Sequence, residues 1–164
     1  MLKEDPNISI SIEMVDYLHR QLTSGDKPKM ALEFGTGSGF ATFILSKYCN
    51  KVVTVDHDAE WTVYTKQKLA MANANSYDNI IYITGYDSIP TFDEPYDFLF
   101  VDDALERVAV PIMACWDRLA PGCVIVIDDT NESEMQKFVQ VLSRSKNCVM
   151  MLSATGRGFG VLIK

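Results

Sequence analysis

Glu33-Phe34-Gly35-Thr36-Gly37-Ser38-Gly39 puts three glycines at alternate positions behind the apolar run Met30–Phe34. Glycines spaced this way let a backbone turn sharply and approach a ligand ahead of a helix N-terminus, where unpaired N–H groups face the guest. Asp56 closes a second apolar run 21 residues after Gly35, the spacing at which an acid can accept both hydroxyls of a ribose. The alternative makes Glu33 a turn residue and Asp56 a helix-leading acid. A dinucleotide pattern G-x-G-x-x-G counted from Gly35 needs glycine where Phe40 stands, which disfavours close packing on a pyrophosphate. A nucleoside-triphosphate loop also fails, because no Gly-Lys-Ser/Thr follows.

Three further acids, Asp102 and the pair Asp128-Asp129, end later apolar runs. If those runs are neighbouring strands, the acids converge on one pocket. Clustered carboxylates repel unless a proton or cation joins them, and hard oxygen ligands suit Mg²⁺ or a similar divalent ion. The alternative has Asp128 or Asp129 cap the following helix while Asp102 merely ends a strand. His57 is a candidate base beside Asp56, with a packing or ribose-side role as its alternative.

The elements that must position these residues alternate in type. Ser11–Ser24 reads as a helix with Ile12, Val15, Leu18 and Leu22 on one face, and Phe40–Cys49 as a second. Val52–Val55 is a strand, followed by a helix from Asp58 to about Asn73 with Trp61, Tyr64, Leu69 and Ala72 near one stripe. Ile80–Thr84 and Phe98–Val101 are strands joined by a loop with two prolines, so any helix between them is short or missing. Ala104–Leu119 is an amphipathic helix closed by Pro121-Gly122, with a kink or late start at Pro111. Cys123–Ile127 is the next strand, and Asn131-x-x-Glu134 opens a helix to Ser143 with capping-box spacing. Cys148–Leu152 and Phe159–Ile163, separated by a turn around Gly156–Gly158, are too close for a parallel crossover and form an antiparallel hairpin.

Length and charge narrow the setting. A chain of 164 residues is about one domain, 1–29 forming an N-terminal helix or cap and 30–164 a cofactor-binding core. Fifteen basic against 22 acidic residues give a net charge of -7, and Gly85–Glu106 holds seven acids without a Lys or Arg, which argues against nucleic acid as partner. The longest apolar run falls short of a membrane span, and Met1–Pro6 is acidic where a signal peptide is basic, so a cytoplasmic location is expected. The four cysteines lack C-x-x-C spacing and read as reduced core thiols.

With Glu33-x-Gly35-x-Gly37-x-Gly39, Asp56, Tyr96-Asp97-Phe98-Leu99-Phe100-Val101-Asp102 and Leu119-x-Pro121-Gly122, the chain resembles the class I S-adenosylmethionine-dependent methyltransferases from Met30 to Lys164. The resemblance implies an α/β, Rossmann-like seven-stranded mixed sheet of order 3-2-1-4-5-7-6, with helices on both faces and a C-terminal antiparallel hairpin. It implies S-adenosylmethionine over Gly35, Thr36, Gly37, Ser38 and Gly39 with Glu33 behind them, the ribose on Asp56 with His57 beside it, and the adenine near Tyr86, Asp87 and Ser88. Asp87 has a solvated loop acid as its alternative. Asp102 counts both as cofactor-binding and as catalytic, with His57 the second catalytic candidate.

A narrower resemblance is to metal-dependent small-molecule O-methyltransferases of the catechol and caffeoyl-CoA types, where an Asp after the fourth strand and an Asp-Asn pair after the fifth hold the ion. Asp102, Asp128 and Asp129 take those positions, Asp129 in place of Asn. Leu105 stands where those enzymes carry a lysine that helps deprotonate the acceptor. The implied function is methyl transfer to a small-molecule acceptor, through oxygen, with no membrane partner. The alternatives are a non-catalytic cofactor-binding module or regulatory subunit, and an aminopropyl transferase. Little chain remains to roof the acceptor site, so Ile8–Ser11 and the first helix, or a second copy in a homo-oligomer, would complete it.

Overall fold

Met30–Phe34 (β1), Lys51–Asp56 (β2), Ile80–Thr84 (β3), Tyr96–Val101 (β4) and Leu119–Asp128 (β5) pair in parallel in the computed structural model, which describes residues 10–25, 28–72, 77–154 and 156–164. Val149–Ser153 (β6) and Phe159–Ile163 (β7) add an antiparallel hairpin, β7 pairing with β5. The resulting order, β3-β2-β1-β4-β5-β7-β6, is the one the resemblance implies. Strand order reverses between β1 and β4, and the Gly35–Gly39 loop leaves β1 at that point, where open α/β sheets form their ligand crevice.

All five residues of β1 are buried because helices cover both faces of the sheet. Met30, Leu32 and Phe34 pack on the side of Leu105–Cys115 (α4) and Ser133–Lys146 (α5), which contribute Val108, Ile112, Met135, Val139 and Leu142. Ala31 faces Ile12–Thr23 (α1), Phe40–Tyr48 (α2) and Ala59–Ala72 (α3), which contribute Met14, Leu18, Leu45 and Leu69. Cys49, Cys115 and Cys123 are buried, and burial pushes the thiols of Cys115 and Cys123 up to about 12, as expected of unreactive core thiols. Among the described residues no helix is long and apolar enough to cross a membrane.

Several local expectations are corrected. In α1 the buried face is Met14, Leu18 and Leu22, and Ile12 is exposed. Ser11 caps this helix by accepting from the Met14 N–H at 3.2 Å, which fixes the rotation that turns Ile12 outward. In α3 the buried residues are Thr62, Thr65 and Leu69, while Tyr64 is exposed and packs edge-on against Trp61. Thr65 lies against Gly39 of the glycine loop, and Thr62 accepts from the Thr84 hydroxyl at 3.4 Å. The expected helix end at Asn73 lies outside the described residues.

α4 starts at Leu105, runs through Pro111 without a late start and ends at Cys115, followed by a 3-10 turn over Trp116–Arg118. Leu119, Pro121 and Gly122 therefore belong to β5 rather than to the helix terminus. A register shift between Tyr96 and Phe98 accommodates them, and the Gly122 N–H donates to the Lys164 carbonyl of the C-terminal segment. The capping box at Asn131 does not form. Glu132 is the N-cap of α5, without a side-chain bond, and Asn131 instead donates to the Gly156 carbonyl at 3.1 Å.

Candidate functional site

β1 ends against its neighbours so tightly that the chain beyond it must be glycine. The Gly35 N–H donates to the Val55 carbonyl of β2 at 2.9 Å, and a β-carbon on Gly35 would collide with the Asp102 carbonyl at the end of β4. The loop is then tied on both sides. The Gly37 N–H donates to Asp56 at 3.0 Å, the Thr65 hydroxyl donates to the Gly37 carbonyl at 2.8 Å, and Lys68 donates to the Ser38 carbonyl at 3.0 Å. Thr36 and Thr54 hydroxyls meet at 2.7 Å beneath it. Gly39, at φ 80°, is the N-cap of α2, and the helix N-terminus opens toward the crevice.

Glu33 lies fully buried under this loop. Thr42 of α2 donates to one carboxyl oxygen at 2.6 Å, and the other oxygen has no partner. Burial, reinforced by the charges of Asp102 and Asp56, pushes this carboxyl up to about 8. Burial thus favours the neutral form of Glu33, which lies inside the fold rather than on a surface turn.

Asp56 is buried and heavily used. It accepts from the Gly37 N–H and, at 2.9 Å, from the Asp58 N–H, and His57 Nδ1 stands 3.2 Å from the same carboxylate. A carboxylate offers about four lone-pair positions, so these two backbone donors leave room for further ones. His57 also approaches Asp103 at 3.4 Å. Asp103 in turn accepts from Tyr86 and Arg107 and from the Ala104 N–H. Burial and the Asp103 carboxylate raise the Tyr86 phenol above its ordinary value. Tyr86, Asp87 and Ser88 form a 3-10 turn after β3. Tyr86 and Asp87 border a separate depression with Val110, Pro111 and Arg118. Asp103 and Arg107 escaped the sequence reading, although the Asp102-Asp103 doublet and the i, i+4 spacing of Arg107 were visible signals.

The crevice over the glycine loop has a volume of about 210 Å³. Gly35, Thr36, Gly37 and Ser38 line it on one side, Asp102, Asp129 and Arg157 on another, and Ile10, Phe40 and Ala41 supply its apolar wall. Ile10 thus confirms part of the expected N-terminal roof, while Ile8 lies outside the described residues. His57 does not line this crevice and instead stands between Asp56 and Asp103.

Asp102, Asp128 and Asp129 do converge, but around a side chain the sequence reading did not single out. Arg157 reaches Asp128 at 3.1 Å, Asp129 at 2.8 Å and Asp102 at 3.6 Å. Burial and the Asp128 charge push Asp102 up to about 7 and Asp129 up to about 6, with Arg157 acting in the opposite sense. Neither Asp128 nor Asp129 caps α5 through its side chain. The divalent ion implied by the narrower resemblance does not fit this arrangement. Among the described residues no group of three His, Cys, Asp or Glu side chains is disposed to hold a metal, and a guanidinium occupies the centre of the acids. Asp102, Asp128 and Asp129, expected to hold the ion, are gathered on Arg157 instead in this structure.

Residues 32–130 match the model of a methyltransferase domain family. A protein-L-isoaspartate O-methyltransferase of Nitrobacter winogradskyi is 31% identical over 128 residues, 77% of this chain and 55% of the relative. A protein of the same name from a Bradyrhizobium species is 27% identical, over 78% of this chain and 57% of its own length. The chain thus spans little more than half the length of these curated relatives. Among solved structures, the O-methyltransferase TomG from Streptomyces achromogenes in complex with SAM superposes with a TM-score of 0.77 at 16% identity, covering 96% of this chain and 82% of that one. An O-methyltransferase from Bacillus cereus in complex with SAH gives 0.78 at 19% identity, covering 97% and 84%. These structural likenesses establish the fold. Together with the glycine loop and the strand order, the match over 32–130 means that the chain belongs to the methyltransferase domain family.

Proposed function

We propose that this chain, as a single domain, binds S-adenosylmethionine over the Gly35–Gly39 loop and transfers its methyl group to an oxygen of a small-molecule acceptor. The observation that carries the reading is the loop itself. It is pinned by Asp56 and Thr65, faces the α2 N-terminus into the crevice, and overlies a buried Glu33 with one unpaired carboxyl oxygen. Both O-methyltransferase structures above contain SAM or SAH. The cofactor supplies an electrophilic sulfonium methyl when bound.

The chain's own residues bind, orient and accept a proton. Thr36, Ser38 and the loop backbone hold the polar end of the cofactor. Asp56 takes the ribose hydroxyls with the lone pairs its two backbone donors leave open, and His57, 3.2 Å from it, has a ribose-side rather than a catalytic role. Tyr86, Asp87 and Ser88 serve the adenine end. Asp102 lines the crevice with a carboxyl held near neutrality, so it accepts the acceptor's proton in place of the lysine absent at Leu105. Phe40 and Ile10 exclude water from the reacting atoms.

The names of the curated relatives suggest a protein carboxylate as acceptor. Charge argues against it here, since Asp102 and Asp129 line the crevice and the three acids outnumber Arg157. The test supplies labelled S-adenosylmethionine with a panel of small hydroxylated molecules and, separately, an isoaspartyl peptide. Label on a hydroxylated molecule supports the reading. Label on the peptide alone transfers the function to protein carboxylates, and a chain that binds cofactor without turnover is a binding module.

A further inference from the structure

We propose that Arg157 is the built-in cation of the acid group, holding Asp102, Asp128 and Asp129 where a divalent ion would otherwise sit and making the site independent of metal. Its placement is fixed by backbone as well as by charge. Arg157 lies in the turn between β6 and β7, and antiparallel pairing of Asp128 with Phe159 brings that turn to the C-terminal end of β5. The Asn131 N–H donates to the Arg157 carbonyl, the Thr130 N–H donates to the Gly158 carbonyl, both at 3.1 Å, and Asn131 Nδ2 donates to the Gly156 carbonyl. The segment following Asp128 and Asp129 therefore holds the arginine that neutralises them.

The contacts use one edge of the guanidinium. Nε meets Asp129, and one terminal nitrogen meets both Asp128 and Asp102. Asp129 adopts φ 59°, a left-handed conformation that Asp tolerates better than most residues. A planar guanidinium can satisfy several carboxylates at once and never loses its charge, whereas a hard divalent ion needs the oxygens drawn in close around it. With Arg157 in place, such an ion would meet a fixed positive charge within a few ångströms. Arg157 is a positioning residue, since it acts on the crevice through Asp102 and Asp129.

The test is Mn²⁺ binding by the intact chain, followed by electron paramagnetic resonance, and it needs no methyl transfer. Failure of the proposed methyl transfer therefore leaves it unaffected. Wild type is expected to leave millimolar Mn²⁺ unbound. Arg157→Ala is expected to gain a site with affinity at least about a hundredfold higher, reflecting the repulsion removed. Adding Asp128→Asn should abolish the gained site, and Arg157→Lys should show none. If Arg157→Ala does not fold, Arg157→Gln keeps most of the side-chain volume and should gain the same site. Mn²⁺ bound by wild type and lost in Asp128→Asn would overturn the proposal. So would the absence of a gained site in every folded variant lacking the charge.

Discussion

Thr65 occupies the space a Gly39 side chain would need, while its hydroxyl donates to the Gly37 carbonyl at 2.8 Å. One threonine on α3 therefore both requires a glycine at the α2 N-cap and ties down the loop before it. The left-handed backbone at Gly39 adds a second demand for glycine.

Gly39→Ala is expected to lose about 1–2 kcal/mol from the left-handed backbone alone, with the Thr65 collision adding to it. Thr65→Ala removes the collision but not the backbone cost, so the double variant should be more stable than the sum of the single losses implies. Urea unfolding of the four proteins measures this coupling. Strict additivity would mean that the loop moves away from α3 at no cost.

Asp56→Ala should weaken S-adenosylmethionine by about 1.5–3 kcal/mol, the range for charge-assisted hydrogen bonds. Because Asp56 also receives the Gly37 and Asp58 N–H groups, a loss of thermal stability should accompany the loss of affinity. Calorimetry on a variant with native circular dichroism checks this, and unchanged affinity would remove Asp56 from the ribose. His57→Ala is expected to change affinity much less than Asp56→Ala, since the donors that orient Asp56 are the backbone N–H groups of Gly37 and Asp58.

What the sequence makes legible here follows from range. The strand order and the glycine loop are readable because they depend on apolar runs, their bounding glycines and connection lengths, all local properties. Thr62 and Thr65 escape notice because polar residues in a helix read as solvent-facing, whereas Thr65 is buried against the glycine loop and Thr62 meets Thr84 of β3. Asn131 reads as a cap until the β6–β7 turn arrives to take its amide. Arg157 is invisible as a site residue for the same reason, since its acids lie on two other connections. A charged residue between two glycines in a hairpin turn at the carboxyl end of the sheet was the available signal.

Glu33 predicts an unusual dependence of stability on pH. Its carboxyl titrates near 4.5 when unperturbed and is raised to about 8 in the folded chain, chiefly by burial. The folded state then binds one more proton than the unfolded state between those values. Its contribution is fully present below pH 4.5, falls by up to about 1.4 kcal/mol per pH unit as pH rises, and is gone above about 8. Glu33→Gln, which stays neutral and keeps an acceptor for Thr42, should flatten that slope in urea titrations between pH 5 and 8. A slope identical to wild type would show that Glu33 ionises inside the fold without penalty.

Asp102 makes the corresponding prediction for turnover. As the proton acceptor it must be ionised, so kcat/KM for a hydroxylated acceptor should rise with pH through a limb near 7 and level off above it. The groups acting on it are Asp128, Asp129 and Asp103, which raise its value, and Arg157, which lowers it. Arg157→Gln should therefore move the limb to higher pH, and Arg157→Lys should largely restore it. Asp102→Asn should cost roughly 10²–10⁴-fold in kcat and remove the limb while calorimetry still detects cofactor binding. If the limb instead survives Asp102→Asn and disappears in His57→Ala, the proton goes to the imidazole across the loop. The acceptor would then have to lie on the Asp56 side of the glycines rather than in the crevice lined by Asp102, Asp129 and Arg157.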